Sequence, residues 1–246
     1  MDNLNNKNIV LVVGTPATGK STSLMHMENQ SRIAYLNADL KELPFKSEFR
    51  NVDLVDPKTI LAAIPQIEAS EDIDSGVLDT ITLLMNQFER QYVTTHRNAK
   101  GVIDTMGGWG EYSKFYSQFM TAIKGGSKNY AILAHVSDTL NEKEMVLETK
   151  VPVKGAVGKI GVEADFTTII ACKCMSVTSL EAYSNDLLTI TDEEREDGYK
   201  YVFQTRITAG ALGEKMRSAM GLWSRDELYI DNNLSNVFKR LNEYYN

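Results

Sequence analysis

The stretch Gly14-Thr15-Pro16-Ala17-Thr18-Gly19-Lys20-Ser21 decides the fold of this chain. It matches the pattern G-x-x-x-x-G-K-[ST] at every defined position, and Thr22 follows it. Glycines in such a loop let successive backbone N–H groups point at phosphate oxygens. In this pattern Lys20 reaches the β- and γ-phosphates, and the Ser21 hydroxyl is a ligand of Mg²⁺. The stretch therefore predicts a phosphate-binding loop formed by residues 14–22.

Hydrophobic runs on both sides of this loop predict alternating strands and helices. Asn8–Val13 reads as a buried strand before the loop, and residues 20–30 as a helix after it. Further short apolar runs predict strands, and apolar residues at helical spacing between them predict helices. These strands are Arg32–Asn37, Val52–Val55, Gly76–Asp79 and Asn129–Val136. The alternation favours a mainly parallel α/β sheet built from βαβ units.

The pattern changes after residue 165, where strand-like runs follow each other without long helices between them. We expect antiparallel strands at Phe166–Met175, Leu188–Ile190 and Tyr199–Thr208, with the acidic run 192–197 as a solvated hairpin tip. Asn233–Tyr245 has the spacing of an amphipathic helix. The predicted fold class is thus an α/β core with antiparallel C-terminal strands and a C-terminal helix.

Composition limits the class of protein further. The chain has 246 residues, a formal net charge of -7 and a hydrophobic fraction of 43%, which suits one large domain. No apolar run is long enough for a membrane span, and the first residues lack a signal-peptide pattern. Cys172 and Cys174 predict buried packing in a reducing, cytoplasmic compartment rather than a zinc site. The acidic balance excludes a protein that coats nucleic acid by bulk charge and leaves room only for a local site.

Asp79 is a second candidate for metal binding. It ends a predicted buried strand and precedes Thr80. Carboxylates at the C-terminal ends of parallel strands suit an Mg²⁺-nucleotide site, because Mg²⁺ is held by few protein ligands. The alternative is a simple N-cap for the helix that begins near Ile81.

Taken in order, these motifs resemble the RecA-like ATPase core, and more closely the core-only phage ATPases of the single-strand-annealing recombination group. The resemblance covers roughly residues 8–225, so we expect an ATPase core at 1–225 and a helical tail at 226–246. It rests on the phosphate-binding loop, Asp79-Thr80, and three weaker elements. These are Tyr35-Leu36-Asn37-Ala38-Asp39, Ala134-His135-Val136 and Gly213-Glu214-Lys215-Met216-Arg217.

The resemblance implies a role for each weaker element. Asp39 stands where the family carries the carboxylate, usually glutamate, that activates the attacking water, and Glu42 is the reserve candidate. His135 stands where a polar residue senses the γ-phosphate. Lys215 and Arg217 are similar to the K-x-R element that completes a neighbouring subunit's site. The alternatives are a turn cap at Asp39, a buried packing histidine at His135, and a solvated charged face at Lys215 and Arg217.

Two segments are candidates for contact with DNA, and both are expected to be loops. The first spans 94–110 and the second 137–162; residues 149–162 carry three lysines and no acid. Lysines interspersed with glycines are suited to contact with the phosphates of DNA. The alternative is that these segments are ordinary mobile surface loops. The candidate DNA-binding residues are Arg97, Lys100, Trp109, Lys150, Lys154 and Lys159.

Three functions fit these features. The first is an ATPase that uses ATP and Mg²⁺, binds single-stranded DNA as a ring or filament, and assists annealing or recombinase loading. The resemblance implies a phage protein in the bacterial cytoplasm, with a single-strand-binding protein or recombinase as a further partner. The second is a small-molecule or nucleotide kinase, which the absence of arginine between residues 98 and 194 disfavours. The third is a module whose oligomeric state ATP controls.

Overall fold

The computed structural model describes residues 6–142, 145–208 and 215–245. Within these residues ten strands and seven α-helices form. The strands are β1 (Ile9–Gly14), β2 (Ile33–Asn37), β3 (Arg50–Asp53), β4 (Ser75–Asp79), β5 (Asn129–His135), β6 (Ser137–Asn141), β7 (Val146–Lys150), β8 (Thr168–Ser176), β9 (Tyr199–Gln204) and β10 (Tyr229–Asp231). The helices are α1 (Ile60–Ala69), α2 (Ile81–Phe88), α3 (Thr105–Lys124), α4 (Gly155–Ile160), α5 (Val177–Leu180), α6 (Asp192–Asp197) and α7 (Leu234–Tyr245).

Eight strands form one sheet in the order β10-β9-β8-β1-β5-β4-β2-β3. The six strands from β8 to β3 are parallel, whereas β9 and β10 are antiparallel additions at one edge. All six residues of β1 are buried, as expected for a strand covered on both faces. The predicted fold class is therefore confirmed: a mainly parallel α/β sheet with antiparallel C-terminal strands and a C-terminal helix.

The register of the parallel strands places polar residues at one edge of the sheet. Gly14 pairs with His135, and Asn37 pairs with Asp79. The carboxyl ends of β1, β5, β4 and β2 therefore lie side by side, and the phosphate-binding loop leaves β1 at this edge. This is the edge at which ligands bind in open parallel sheets.

Helices cover both faces of the sheet. Helices α1, α2 and α3 pack on one face through apolar stripes such as Ile60, Ile64 and Ile67 of α1. Helix α7 packs on the other face through Leu234, Val237, Phe238 and Leu241. Among the described residues, no helix is both long and apolar enough to cross a membrane.

The predicted helix over 20–30 is wrong. Only a four-residue 3-10 helix forms at Ser21–Leu24, and a second short 3-10 helix occupies Gln30–Arg32. Serine and threonine compete for backbone hydrogen bonds, and here the Ser23 hydroxyl donates to the Lys20 carbonyl. Asn29 adopts a left-handed backbone conformation, which an α-helix excludes. Leu24 and Met27 are buried as expected for apolar residues, but on turns.

Of the two segments expected to be loops, 94–110 is a loop as far as Asp104, whereas 137–162 is largely built of regular elements. In the first, α3 already begins at Thr105, because the Asp104 side chain caps it by accepting from the Gly107 N–H at 2.9 Å. The second contains the hairpin β6–β7 and helix α4. Strands in this hairpin pair only with each other, so their sequence carries no buried apolar run of the kind that reveals the central strands.

Three smaller predictions are also wrong. Leu188–Ile190 forms no strand; the nearby backbone instead bonds to Asp231. The acidic run 192–197 is helix α6 rather than a hairpin tip, because Thr191 and Glu194 form a capping box. Cys172 is buried as predicted, whereas Cys174 is exposed because β8 leaves the core toward its C-terminal end.

The boundary at residue 225 stays a prediction. In the structure, residues on both sides of it pack together, since β10 pairs with β9 and α7 contributes to the same core as β1 and β5.

Candidate nucleotide-binding site

The phosphate-binding loop is curled tightly against the end of β1. Gly19 has a φ of +91°, in the left-handed region that favours glycine, and Ala17 has a φ of +62°. A Cβ on Gly14 would lie 2.5 Å from the Thr18 hydroxyl oxygen, and a Cβ on Gly19 would lie 2.8 Å from the Tyr201 ring. Both glycines are therefore required by space, as the motif predicts for a loop that closes around phosphates.

Lys20 is folded back onto its own loop. Its ammonium donates to the carbonyl oxygens of Gly14 and Thr15, each at 2.8 Å. Burial lowers the pKa of Lys20, and the charge of nearby Asp79 partly offsets this effect. The ammonium is thus held by neutral acceptors, which an anionic phosphate can replace.

Asp79 is buried at the end of β4, with 4% of its surface exposed, and two hydroxyls donate to it. Ser21 Oγ lies 3.0 Å and Tyr35 Oη lies 2.9 Å from Asp79 Oδ2. Burial raises the pKa of Asp79, while these two hydrogen bonds act in the opposite direction. Tyr35 was not predicted as a site residue, because only the pairing of β2 with β4 brings it to Asp79.

Ser21 and Asp79 fit the donor set of a magnesium site. A hydroxyl and a carboxylate oxygen already lie within hydrogen-bonding distance, and both are the hard oxygen ligands that Mg²⁺ prefers. Over the described ranges, no group of three or more His, Cys, Asp or Glu side chains could hold a metal ion. Magnesium held here by two protein ligands would depend on phosphate and water oxygens for the rest of its coordination.

A cleft of about 310 Å³ brings together the predicted catalytic residues of the phosphate-binding edge. Asp39 forms an ion pair with Lys41 at 3.2 Å, and its backbone N–H donates to the Asp79 carbonyl at 3.0 Å. Glu42 lies further along the same wall and is exposed. The predicted residues that line this cleft are Pro16, Ala17, Gly19, Lys20, Ser21, Thr22, Asp39, Glu42, Asp79 and His135.

His135 ends β5 at the back of the cleft. Its backbone N–H donates to the Thr82 hydroxyl at 3.1 Å, and its buried Nδ1 has no hydrogen-bond partner among the described residues. Burial and the charge of Lys20 lower the pKa of His135, so the imidazole is neutral near pH 7. Since His135 also lines the cleft, its neutral imidazole can make a hydrogen bond to a ligand there.

Lys215 and Arg217 lie outside this cleft. Arg217 pairs with Ile169 of β8 through backbone hydrogen bonds of 2.8 and 3.2 Å, and its guanidinium donates to the Glu163 carbonyl. Lys215 lines a small cavity of about 90 Å³ behind the loop, together with Gly14, Thr15 and Thr18. Their action on a neighbouring subunit stays a prediction, and Gly213 and Glu214 of the motif lie outside the described residues.

The candidate DNA-binding lysines are less free than the sequence suggests. Lys150 forms an ion pair with Glu148, and Lys154 pairs with Glu89 at 2.9 Å. Lys159 is exposed and has no ion pair among the described residues. The segment 149–162 is therefore less positive than its own sequence implies, because acids from outside it neutralise part of its charge.

The two candidate DNA-binding segments meet at Trp109. Its partly buried ring contacts Tyr112 edge-on at 5.2 Å between centroids, and a Cβ on Gly155 would lie 3.1 Å from it. Trp109 therefore packs the start of α3 against α4. Arg97 donates to the Gly101 carbonyl at 2.7 Å in an exposed turn that also carries Lys100. The contact makes the two segments one continuous surface.

The fold and the site together define a P-loop nucleotide-binding protein. The chain belongs to the AAA domain family, whose model matches residues 6–156, more than half of its length. This membership indicates a nucleotide-binding ATPase domain. No curated protein shows a significant match.

Two solved structures are similar to the chain at low sequence identity. The flagellar accessory protein FlaH from Methanocaldococcus jannaschii has a TM-score of 0.36 and 13% identity, covering 81% of this chain and 78% of that one. The RadB recombinase has a TM-score of 0.37 and 14% identity, covering 84% and 90%.

Proposed function

We propose that this protein binds ATP with Mg²⁺, hydrolyses it, and couples hydrolysis to single-stranded DNA in annealing or recombinase loading. The observation that carries the proposal is the single cleft that gathers Lys20, Ser21, Asp79, Asp39 and His135. These residues supply a cation, a metal site, a carboxylate and a neutral imidazole at one edge of the sheet. Phosphoryl transfer is catalysed mainly by positioning the reactants and stabilising charge, and these side chains can do both.

The present contacts of each residue support its proposed role. Lys20 exchanges the Gly14 and Thr15 carbonyls for phosphate oxygens, and Ser21 and Asp79 hold the metal. Bound Mg²⁺ neutralises charge that develops on the phosphates. Asp39 is the better of the two candidate water-orienting carboxylates, because its charge acts on Asp79 and His135, whereas Glu42 is exposed at the rim.

A route from the cleft to the DNA-binding surface follows from the chain order. His135 ends β5, and β6 begins two residues later at Ser137. A hydrogen bond between His135 and a terminal phosphate would therefore act directly on the hairpin β6–β7 and on α4 behind it. This supports a sensor role, in which the state of the nucleotide changes how residues 137–160 meet DNA.

Assembly on DNA is part of the proposal. Since Lys150 and Lys154 are paired with acids, the candidate surface of one subunit keeps three cations free of ion pairs among the described residues, namely Arg97, Lys100 and Lys159. We infer that several subunits on one strand are needed for useful affinity. We propose that Lys215 and Arg217 then complete the site of a neighbouring subunit in a ring or filament. The proposed setting is phage recombination in the bacterial cytoplasm, together with a single-strand-binding protein or a recombinase.

The test is phosphate release from ATP by the full chain, with and without an unstructured oligonucleotide at low salt, and Lys20→Ala as control. We expect Mg²⁺-dependent release that rises with DNA and with protein concentration, and none from the variant. Transfer of phosphate to a small acceptor instead of water would support the kinase. ATP binding with altered oligomeric state but no turnover would support the ATP-controlled module. Absence of DNA binding in low salt rules out the DNA role.

A further inference from the structure

A tyrosine lies beside the phosphate-binding loop, and neither the motif nor the catalytic residues account for it. Tyr201 is on β9, directly opposite Cys174 of β8. Its ring contacts Gly19 so closely that a Cβ there would lie 2.8 Å from Cγ and Cδ1. Tyr201 is only partly buried, and it lines the same cleft as Lys20, Ser21 and Asp79.

The sheet order indicates which end of a nucleotide reaches Tyr201. Asp79 ends β4 and Asp39 follows β2, so the metal site and the carboxylate lie on one side of β1. Strands β8 and β9 lie on the other side of β1. A triphosphate whose terminal phosphate faces Asp79 and Asp39, and whose other phosphates follow the loop across the end of β1, would direct its nucleoside end toward β8 and β9. Tyr201 is the aromatic side chain that lines the cleft there.

Tyr201 packs through its ring and not through its hydroxyl. The Tyr201 hydroxyl makes no hydrogen bond to any residue that the structure describes. Lys200, its neighbour on the opposite face of β9, is by contrast buried in ion pairs with Glu194 and Asp231. Tyr199, on the same face, meets the Tyr201 ring edge-on at 5.8 Å. Asn232 holds the loop under this ring by donating to the Gly19 carbonyl at 2.8 Å.

We propose that Tyr201 is the platform on which the base of a bound nucleoside triphosphate stacks, with Tyr199 extending the aromatic surface. The inference deepens the proposed function and rests on its claim that the cleft binds a nucleoside triphosphate. Stacking on an aromatic ring tolerates every base, so this platform adds affinity for nucleotides over bare phosphates without selecting adenine.

The experiment compares two ligands that differ only in the base: ATP and ribose 5-triphosphate, each with Mg²⁺. Calorimetry would give the Kd of both for the full chain and for Tyr201→Leu and Tyr201→Phe. We expect Tyr201→Leu to raise the Kd of ATP by about 5- to 150-fold, which is the range for stacking of a base on an aromatic ring. The Kd of ribose 5-triphosphate should change by less than about twofold. Tyr201→Phe keeps the ring and should match the unmodified chain for both ligands.

The outcomes separate this inference from the proposed function. If the unmodified chain binds neither ligand, the proposed function fails. If it binds both and Tyr201→Leu weakens both equally, Tyr201 only packs the loop and the inference is overturned; an unchanged ATP affinity overturns it as well. Should thermal unfolding show that Tyr201→Leu does not fold, the unmodified chain still decides. Equal Kd values of the unmodified chain for ATP and ribose 5-triphosphate would then exclude any base platform. A lower Kd for ATP than for ribose 5-triphosphate, unchanged in Tyr201→Phe, would support the inference.

Discussion

At the scale of single residues, the cleft is organised around one buried carboxylate. Burial makes ionisation of Asp79 costly and raises its pKa, while the hydroxyls of Ser21 and Tyr35 stabilise the ionised form. A divalent cation beside Asp79 would remove this cost, since a bound cation favours the deprotonated carboxylate. The same arrangement makes the two hydroxyl donors separately testable.

Tyr35→Phe removes one of these donors without changing the ring. A hydrogen bond to a charged group stabilises the ionised carboxylate, so its loss should raise the pKa of Asp79 further. A group with a raised pKa is protonated at higher pH, so the acidic limb of the pH–rate profile should move toward neutral pH. The measurement is Mg²⁺-dependent ATP turnover from pH 5 to 8. An unmoved acidic limb would show that the Tyr35 hydroxyl does not act on Asp79.

Asp39→Asn and Glu42→Gln form a matched pair for the water-orienting carboxylate. A positioned general base contributes about 10²–10⁴-fold, so Asp39→Asn should lower kcat by that factor and leave the Kd of ATP nearly unchanged. Glu42→Gln should stay within a few-fold of the unmodified chain, because Glu42 is exposed. Single-turnover kinetics with measured ATP affinity would check both. The reverse ranking would assign the role to Glu42.

At the scale of elements, the central strands and the phosphate-binding loop were predictable, and much of what surrounds them was not. Buried apolar runs reveal β1, β4 and β5, since each is covered on both faces. The prediction of a helix over 20–30 is wrong because it rests on the spacing of apolar residues, whereas a serine hydroxyl there bonds to the backbone. The capping box of α6, by contrast, is visible in the sequence as Thr191-x-x-Glu194. Tyr35 and Tyr201 were missed because strand pairing, not sequence spacing, places them.

Lys200 connects α6 to the sheet edge, since its ammonium reaches Glu194 at 2.6 Å and Asp231 at 3.1 Å. Partial burial opposes ionisation of Glu194, but bonds from Lys200 and Thr191 outweigh it and lower its pKa. Lys200→Met should therefore lower the free energy of unfolding at pH 7 by about 1–2 kcal/mol, since both carboxylates are partly exposed.

The pH dependence of this effect has a defined sign. Because the pKa of Glu194 is lower in the folded protein than in the unfolded chain, Glu194 stabilises the fold at pH values above its unfolded pKa. This contribution is lost as the pH falls through the folded pKa. The difference between Lys200→Met and the unmodified chain should therefore shrink below about pH 4.5. Urea unfolding at several pH values would measure it. Arg195→Met, which breaks an exposed pair with Glu181, is the control and should change stability by less than about 1 kcal/mol.

The surface formed by α3, α4 and the hairpin β6–β7 gives a prediction in two directions. Glu89→Gln releases Lys154, so it should tighten binding of single-stranded DNA and steepen the dependence of log K on log salt by about 0.7. Lys159→Ala should weaken binding and reduce that slope by a similar amount. Lys239→Ala, on the opposite face of the sheet, is the control. Fluorescence anisotropy over a salt series would check all three, and weaker binding by Glu89→Gln would contradict a role for Lys154.

At the scale of the whole molecule, the net charge of -7 and the paired lysines have the same consequence. A single subunit has a net charge of the same sign as a polyanion, and its candidate DNA-binding surface keeps only Arg97, Lys100 and Lys159 free of ion pairs among the described residues. If several subunits bind one strand, as we propose, DNA affinity should depend steeply on protein concentration. The sequence suggested a locally basic segment, and folding reduces that charge by bringing Glu89 to Lys154.

The C-terminal segment 226–246 gives the last prediction, because the sequence and the structure suggest different results for its deletion. As a separable tail it could be removed with nucleotide binding intact. In the structure, however, four buried side chains of α7 cover one face of the sheet, namely Leu234, Val237, Phe238 and Leu241. Their burial contributes about 6–12 kcal/mol, comparable with the whole stability of a typical domain.

We therefore expect the chain truncated at residue 225 to lose cooperative thermal unfolding as well as ATP binding. Leu241→Ala, a milder change, should lower the free energy of unfolding by about 2–5 kcal/mol, whereas Lys239→Ala on the exposed side of α7 should leave it nearly unchanged. Circular dichroism melts and ATP titrations would measure both properties. A truncated chain that still unfolds cooperatively and binds ATP would make 226–246 a separable tail.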